Sequence, residues 1–259
     1  PLTLGTSIVL VGFPRFGLTG YDEANLIGQA GATLLVILIS LRSLTFRWNT
    51  ATACELLRLG GPLIPAFGFL FVLQQAARVV LKETWGLDAV GVYTIGINLG
   101  SAVALVVSAF TSAWTPFFMS YVDRRNEARD VLGRVVTYYV IGMGALSLLF
   151  FFAAKPAVML LTGPAFYPAY LLVGLAACAP VLGGLFNVLL PGVYFAKEVR
   201  VLTVIHGTAA ALTVGAAVIL VPPLGVLGAS LVLVIGSGAT ACVLAAWNYV
   251  RRRDYVGVR

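Results

Sequence analysis

The chain has 259 residues, 60% of them hydrophobic and 10% charged, with a formal net charge of +7. So few charged groups cannot cover a water-soluble globule of this length, which excludes a soluble domain and a soluble enzyme. No basic stretch is interleaved with stacking aromatics, so the positive balance reads as a topology signal with attraction to anionic lipid, and nucleic acid is excluded as a partner.

A helix needs about 20 mostly apolar residues to cross a hydrocarbon core of about 30 Å. Such runs recur along the chain. The first, Pro1 to about Gly12, is a stub that ends at Pro14 and Arg15. The others run roughly Ala24 to Leu41, Leu57 to Leu81, Ala89 to Tyr121, Val131 to Ala154, Pro168 to Phe195, Val201 to Val221 and Leu224 to Val250. Charges, prolines or glycines bound each one. Barrel strands would alternate apolar and polar residues, whereas runs such as Thr33 to Leu41 are apolar on every side. The pattern predicts an all-α membrane protein, a polytopic helical bundle of about eight transmembrane helices. Pro1 opens directly into apolar sequence, with no Met, basic leader or small-residue cleavage site, so the chain reads as a fragment.

Short cytoplasmic loops hold an excess of Lys and Arg. With the last helix ending in the cytoplasm, all but four of the 17 basic residues fall inside. Those inside cluster at Arg42 to Arg58, Arg124 to Arg134, Lys197 and Arg200, and the tail from Arg251. Outside lie Arg15, Arg78, Lys82 and Lys155, offset by Asp22, Glu23, Glu83 and Asp88. The alternation holds for every successive helix, which predicts a multi-pass protein of the cell (cytoplasmic) membrane with a cytoplasmic C-terminus.

Catalytic groups are scarce. The one histidine, His206, has no carboxylate or cysteine within a helical turn, so no nucleophile and base are paired, and it reads as a helix-packing residue near the cytoplasmic end of its helix. All ten acids lie in loops or at helix ends, which leaves no buried proton relay. Cys54, Cys178 and Cys242 are widely separated and imply neither a metal site nor a disulfide framework. The chain therefore reads as a non-enzyme without cofactor or metal.

Polar residues inside membrane helices usually face a bundle interior or a hydrated cavity. Gln74, Gln75 and Arg78 share a face through their spacing, with Phe67, Phe69 and Phe71 a turn or two earlier. This is either a cationic, hydrogen-bonding patch or an arginine that snorkels to the headgroups beside glutamines paired to neighbouring helices. The next segment carries a polar stripe at Thr94, Asn98, Ser101, Ser108, Ser112 and Thr115, opposite Gly96, Gly100 and Ala104. One face then packs closely while the other lines a cavity, or both only pack helices. Pro62, Pro65, Pro116, Pro180 and Pro191 each remove a backbone donor and bend their helices.

Several stretches carry a family resemblance. LLRLGGPLIPAF (Leu56 to Phe67) and QQAARVVLKETWGLDAVGVY (Gln74 to Tyr93) are followed by SAFTSAWTPFFMS (Ser108 to Ser120). LLTGPAFYPAY (Leu160 to Tyr170), GVYFAKEVRVL (Gly192 to Leu202) and VPPLGVLGASLV (Val221 to Val232) come after them in order. Together these resemble the oligosaccharide flippases of polysaccharide biosynthesis, within the multidrug, oligosaccharidyl-lipid and polysaccharide exporter superfamily. The resemblance implies two lobes and makes 1–42 the last two helices of a truncated first lobe. It makes 43–54 a cytoplasmic linker, 55–250 a second lobe of about six helices, and 251–259 a basic cytoplasmic tail. It implies flipping of a polyprenyl-pyrophosphate-linked oligosaccharide across the membrane by alternating access. Gln74, Gln75, Arg78 and Asn98 are the candidate substrate-binding residues. Membrane lipid, the lipid-linked oligosaccharide and glycan assembly enzymes are the expected partners. Where the family often places an acid before the arginine matching Arg78, this chain has Ala77.

Three alternatives stand beside it: a drug or lipid exporter of the same superfamily, a membrane-embedded polysaccharide polymerase or glycosyltransferase, and a fragment with structural value only. The exporter would place an acid in its cavity helices. The transferase would show a large external loop or buried acids and arginines.

Overall fold

A computed structural model describes residues 17–41, 49–51, 54, 57, 60, 61, 63–121, 125–196 and 200–251. The stub before Gly12, most of the expected linker and the tail beyond Arg251 lie outside these residues. The chain divides into two compact units, Pro1–Glu55 and Leu56–Arg259.

In the first unit, α1 (Gly17–Leu41) begins ahead of the expected Ala24. Its apolar side chains, among them Leu34, Leu38 and Ile39, are exposed, as a lipid-facing helix requires. Thr33 returns its hydroxyl to the Gln29 carbonyl at 2.8 Å, the usual way a hydroxyl is absorbed by its own helix.

The second unit contains α2 (Leu63–Gly100), α3 (Val103–Met119), α4 (Arg125–Leu161), a 3-10 turn (Pro164–Ala169), α5 (Tyr170–Leu189), α6 (Pro191–Ala196) and α7 (Arg200–Arg251). No strand occurs among the described residues. Two of these helices double back. In α2, Gly86 takes φ 81° and ψ −176°, a conformation open to glycine at little cost. A straight helix would separate Arg78 from Tyr93 by about 22 Å, yet the Arg78 guanidinium carbon lies 6.0 Å from the Tyr93 ring centre. In α7 the reversal is at Gly225 (φ 56°), after Pro222 and Pro223. A Cβ on Gly228 would run into the Leu220 carbonyl, contact that only a folded-back chain allows.

The reversals sit together. Trp85 donates its indole N–H to the Pro222 carbonyl at 3.2 Å, and its ring covers Gly225, where an added Cβ would lie 3.1 Å from Trp85 Cε2. Below them, Ala77, Leu81, Tyr93, Ala217, Val221, Ala229 and Val232 form one buried cluster from four helical arms. At the opposite end, Asn248 of α7 donates to the Leu189 carbonyl at 2.9 Å, and Phe118 meets Tyr194 at 5.9 Å between ring centres. The turns at Gly86 and Gly225 thus gather at one end of the unit, and the C-terminal ends of α3, α5 and α7 at the other.

Among the described residues, four segments are long and apolar enough to cross a membrane: Ile64–Gly100, Asp130–Leu161, Pro164–Tyr194 and Arg200–Val250. Phe152, Leu160 and Ile219 point outward from them, as Leu105 does from α3. Such faces need lipid around them, and the chain is a multi-pass α-helical membrane protein.

The element boundaries differ from those the sequence suggests. The Ala89 to Tyr121 segment is interrupted at Ser101 and Ala102, where Ala102 N–H bonds Leu99 and Ala104 N–H bonds Ser101 in tighter three-residue turns. The helix expected to stop at Ala154 runs on to Leu161 with Pro156 inside it. The Pro168 to Phe195 segment is three pieces, because Pro191 starts a new short helix rather than continuing α5.

Candidate functional site

The site is set up by close helix contact. Gly96 and Gly100 of α2 face α5 so tightly that a Cβ on Gly100 would stand 2.6 Å from the Val173 carbonyl oxygen and 2.9 Å from the Ala177 nitrogen. This seats the second arm of α2 on α5 through its small residues. The first arm of α2 runs alongside the first arm of α7. The Phe69 ring lies 3.2 Å from where a Gly207 Cβ would be, and Leu73 packs with Ala209 and Ala210.

Between these helices lie two adjoining cavities of about 450 and 430 Å³ that share Gln74, Ala104, Pro180, Leu233 and Ser237. The smaller one holds Gln75, Arg78, Tyr93 and Ser101. The larger holds Ser108, Thr111, Asn187, His206 and Thr240. Among the described residues, no carboxylate lines either. Arg78 is the fixed positive charge among the residues that line them, with its guanidinium near the Tyr93 ring face. Pro180 of α5 lines both cavities and has no N–H to give the Ala176 carbonyl one turn back, so the wall is polar there even though its side chains are not.

Of the four residues singled out in the sequence, Gln74, Gln75 and Arg78 come together in this hollow. Asn98 does not. Its side chain is exposed outside both cavities, and its carbonyl accepts the Ser101 hydroxyl at 2.8 Å. Ser101 lines the smaller cavity and Ser108 the larger, whereas Ser112 and Thr115 line neither. The polar stripe thus meets the cavities only at Ser101 and Ser108.

Four contributors were not singled out as site residues. His206 is buried in the larger cavity wall, its ring 5.1 Å from Phe186. Asn187 is held by its amide N–H on the Gly183 carbonyl at 3.1 Å, and its own carbonyl takes the Trp114 indole N–H at 3.2 Å. Ser237 and Thr240 stand three residues apart on the last arm of α7. Their sequence signal is faint, since single hydroxyls in an apolar run are ordinary packing groups.

A third cavity of about 480 Å³ lies on the other face of α5, lined by Val140, Leu148, Phe151 and Val181. It offers little to a polar ligand.

No curated protein and no solved structure matches the chain. The family model of polysaccharide biosynthesis proteins matches residues 15–171, which span α1 through the start of α5 and include Gln74, Gln75, Arg78 and Asn98. The chain thus belongs to the polysaccharide biosynthesis protein family and is a membrane protein of that process.

Proposed function

We propose that the chain exports a polyprenyl-pyrophosphate-linked oligosaccharide across the cytoplasmic membrane by alternating access, with no covalent chemistry of its own. The observation that carries this reading is the interior hollow in which Arg78, Gln74 and Gln75 converge without a carboxylate. Moving a glycan and an anionic diphosphate through hydrocarbon requires a shelter that replaces their water. A guanidinium offers a fork of donors suited to phosphate oxygens, and amides serve sugar hydroxyls. An acid in the same space would repel the diphosphate, which favours a lipid-linked glycan over a cationic drug as cargo.

In this reading each arm of α2 and α7 is a separate crossing and α3 continues the second arm of α2, which gives seven crossings among the described residues and eight with the stub before Gly12, with the C-terminus in the cytosol. The units Pro1–Glu55 and Leu56–Arg259 correspond to the end of one lobe and the whole of another. Glycan assembly enzymes supply and receive the cargo.

Arg78→Ala in the intact cell should lower surface polysaccharide about tenfold or more while the protein still inserts at normal abundance. Undiminished surface polysaccharide in that variant removes Arg78 from the site and with it the support for this cargo.

A further inference from the structure

The hollow differs chemically along its length. Towards the Gly86 turn, Arg78 and Gln75 present N–H donors. Towards the other end, Ser108, Thr111, Asn187 and Thr240 each spend a donor on a backbone carbonyl, those of Leu105, Val107, Gly183 and Ser237 respectively. What the three hydroxyls keep for the cavity is oxygen lone pairs, and Asn187 keeps its amide oxygen beside one remaining N–H. His206 stands among them, 7% exposed, with Nδ1 enclosed and without a hydrogen-bond partner among the described residues. Buried polar atoms almost always have a partner, and one left over in a cavity wall marks a place for a ligand. His206 adjoins Gly207, which packs against Phe69. Arg78 lies nine residues along the same arm, about 13 Å at the helical rise. A diphosphate and the first sugars attached to it can bridge that gap.

We propose that the cavity reads a glycosyl diphosphate lengthwise, its diphosphate on the donor end at Arg78 and its sugar hydroxyls on the acceptor end, where His206 completes a hydrogen bond to one of them. This rests on the export reading and adds a glycan-recognising residue outside the part of the chain that the family model covers. A neutral imidazole has one donor and one acceptor nitrogen, and a hydroxyl satisfies either.

The test uses the protein in lipid nanodiscs with labelled imidazole nitrogens, the His206 signals being assigned by their loss in His206→Gln. One probe is the lipid-linked glycan extracted from the cell's own membranes. The other is polyprenyl diphosphate of the same chain length, the lipid stripped of its glycan. The intact glycolipid should move a His206 ring nitrogen resonance and the stripped lipid should not. His206→Phe should weaken binding of the intact form about tenfold and leave the stripped form unchanged, whereas Arg78→Gln should weaken both. Intact glycolipid that binds without moving the His206 signals overturns the proposal and leaves the export reading standing. So does equal weakening of both probes by His206→Phe. If the unsubstituted protein binds neither probe, the export reading fails and this inference with it. The spectrum of the unsubstituted protein decides even where His206→Phe does not fold.

Discussion

Arg78 shows what one side chain can and cannot announce. Its spacing from Gln74 and Gln75 was visible in the sequence, but a snorkelling arginine would have had the same spacing. In the fold, the reversal at Gly86 brings Tyr93 and Ser101 round to the side of Arg78. Asn98 shows the opposite. It belongs to the same periodic stripe and yet points away, because Gly96 and Gly100 claim the α5 side of that arm. The two turn glycines make separate predictions. At Gly86 nothing lies within 4 Å of an added Cβ, so Gly86→Ala should cost only the backbone strain, about 1–3 kcal/mol. At Gly225 the new methyl also meets the Trp85 ring. Gly225→Ala should therefore cost more, and Trp85→Ala should relieve part of the excess. Unfolding of each variant in mixed detergent measures both effects, and strictly additive costs would refute the contact.

Helices were legible where length and apolarity decide, and their boundaries were not. The chain reverses at Gly86 between Lys82 and Asp88, charges that cannot stay in hydrocarbon, and the sequence separates the arms there. Nothing comparable marks Ser101 and Ala102, where the turn tightens because the neighbouring glycines are drawn onto α5. Pro156 misleads in the other sense, since a proline near a lysine looks like a helix end but lies within α4. Tight seating of α2 on α5 can be tested directly. Gly100→Val should destabilise the bundle by roughly 3 kcal/mol or more, since the backbone of α5 stands in the way. Gly142→Val on α4, where a Cβ meets nothing within 4 Å, should be close to neutral. Similar losses in the two variants would mean that the α2–α5 contact is not tight.

At the scale of the molecule, the gathering of alternate turns at opposite ends sets what each face of the membrane can reach. With Cys54, Cys178 and Cys242 replaced, Thr84→Cys and Gly163→Cys should react with a membrane-impermeant thiol reagent added from one side, and Ser120→Cys only from the other. Labelling of all three from one side contradicts the arrangement. The last arm of α7 has a further consequence, for biogenesis. It supplies Leu233, Gly236, Ser237 and Thr240 to the cavity wall and Ala229 and Val232 to the cluster around Leu81. A nascent chain entering the bilayer from its N-terminal end therefore keeps Arg78 unsheltered until the ribosome has delivered Leu233 and Ser237. Products cut short after Val221 should be cleared by membrane proteases rather than persist as a partly working carrier.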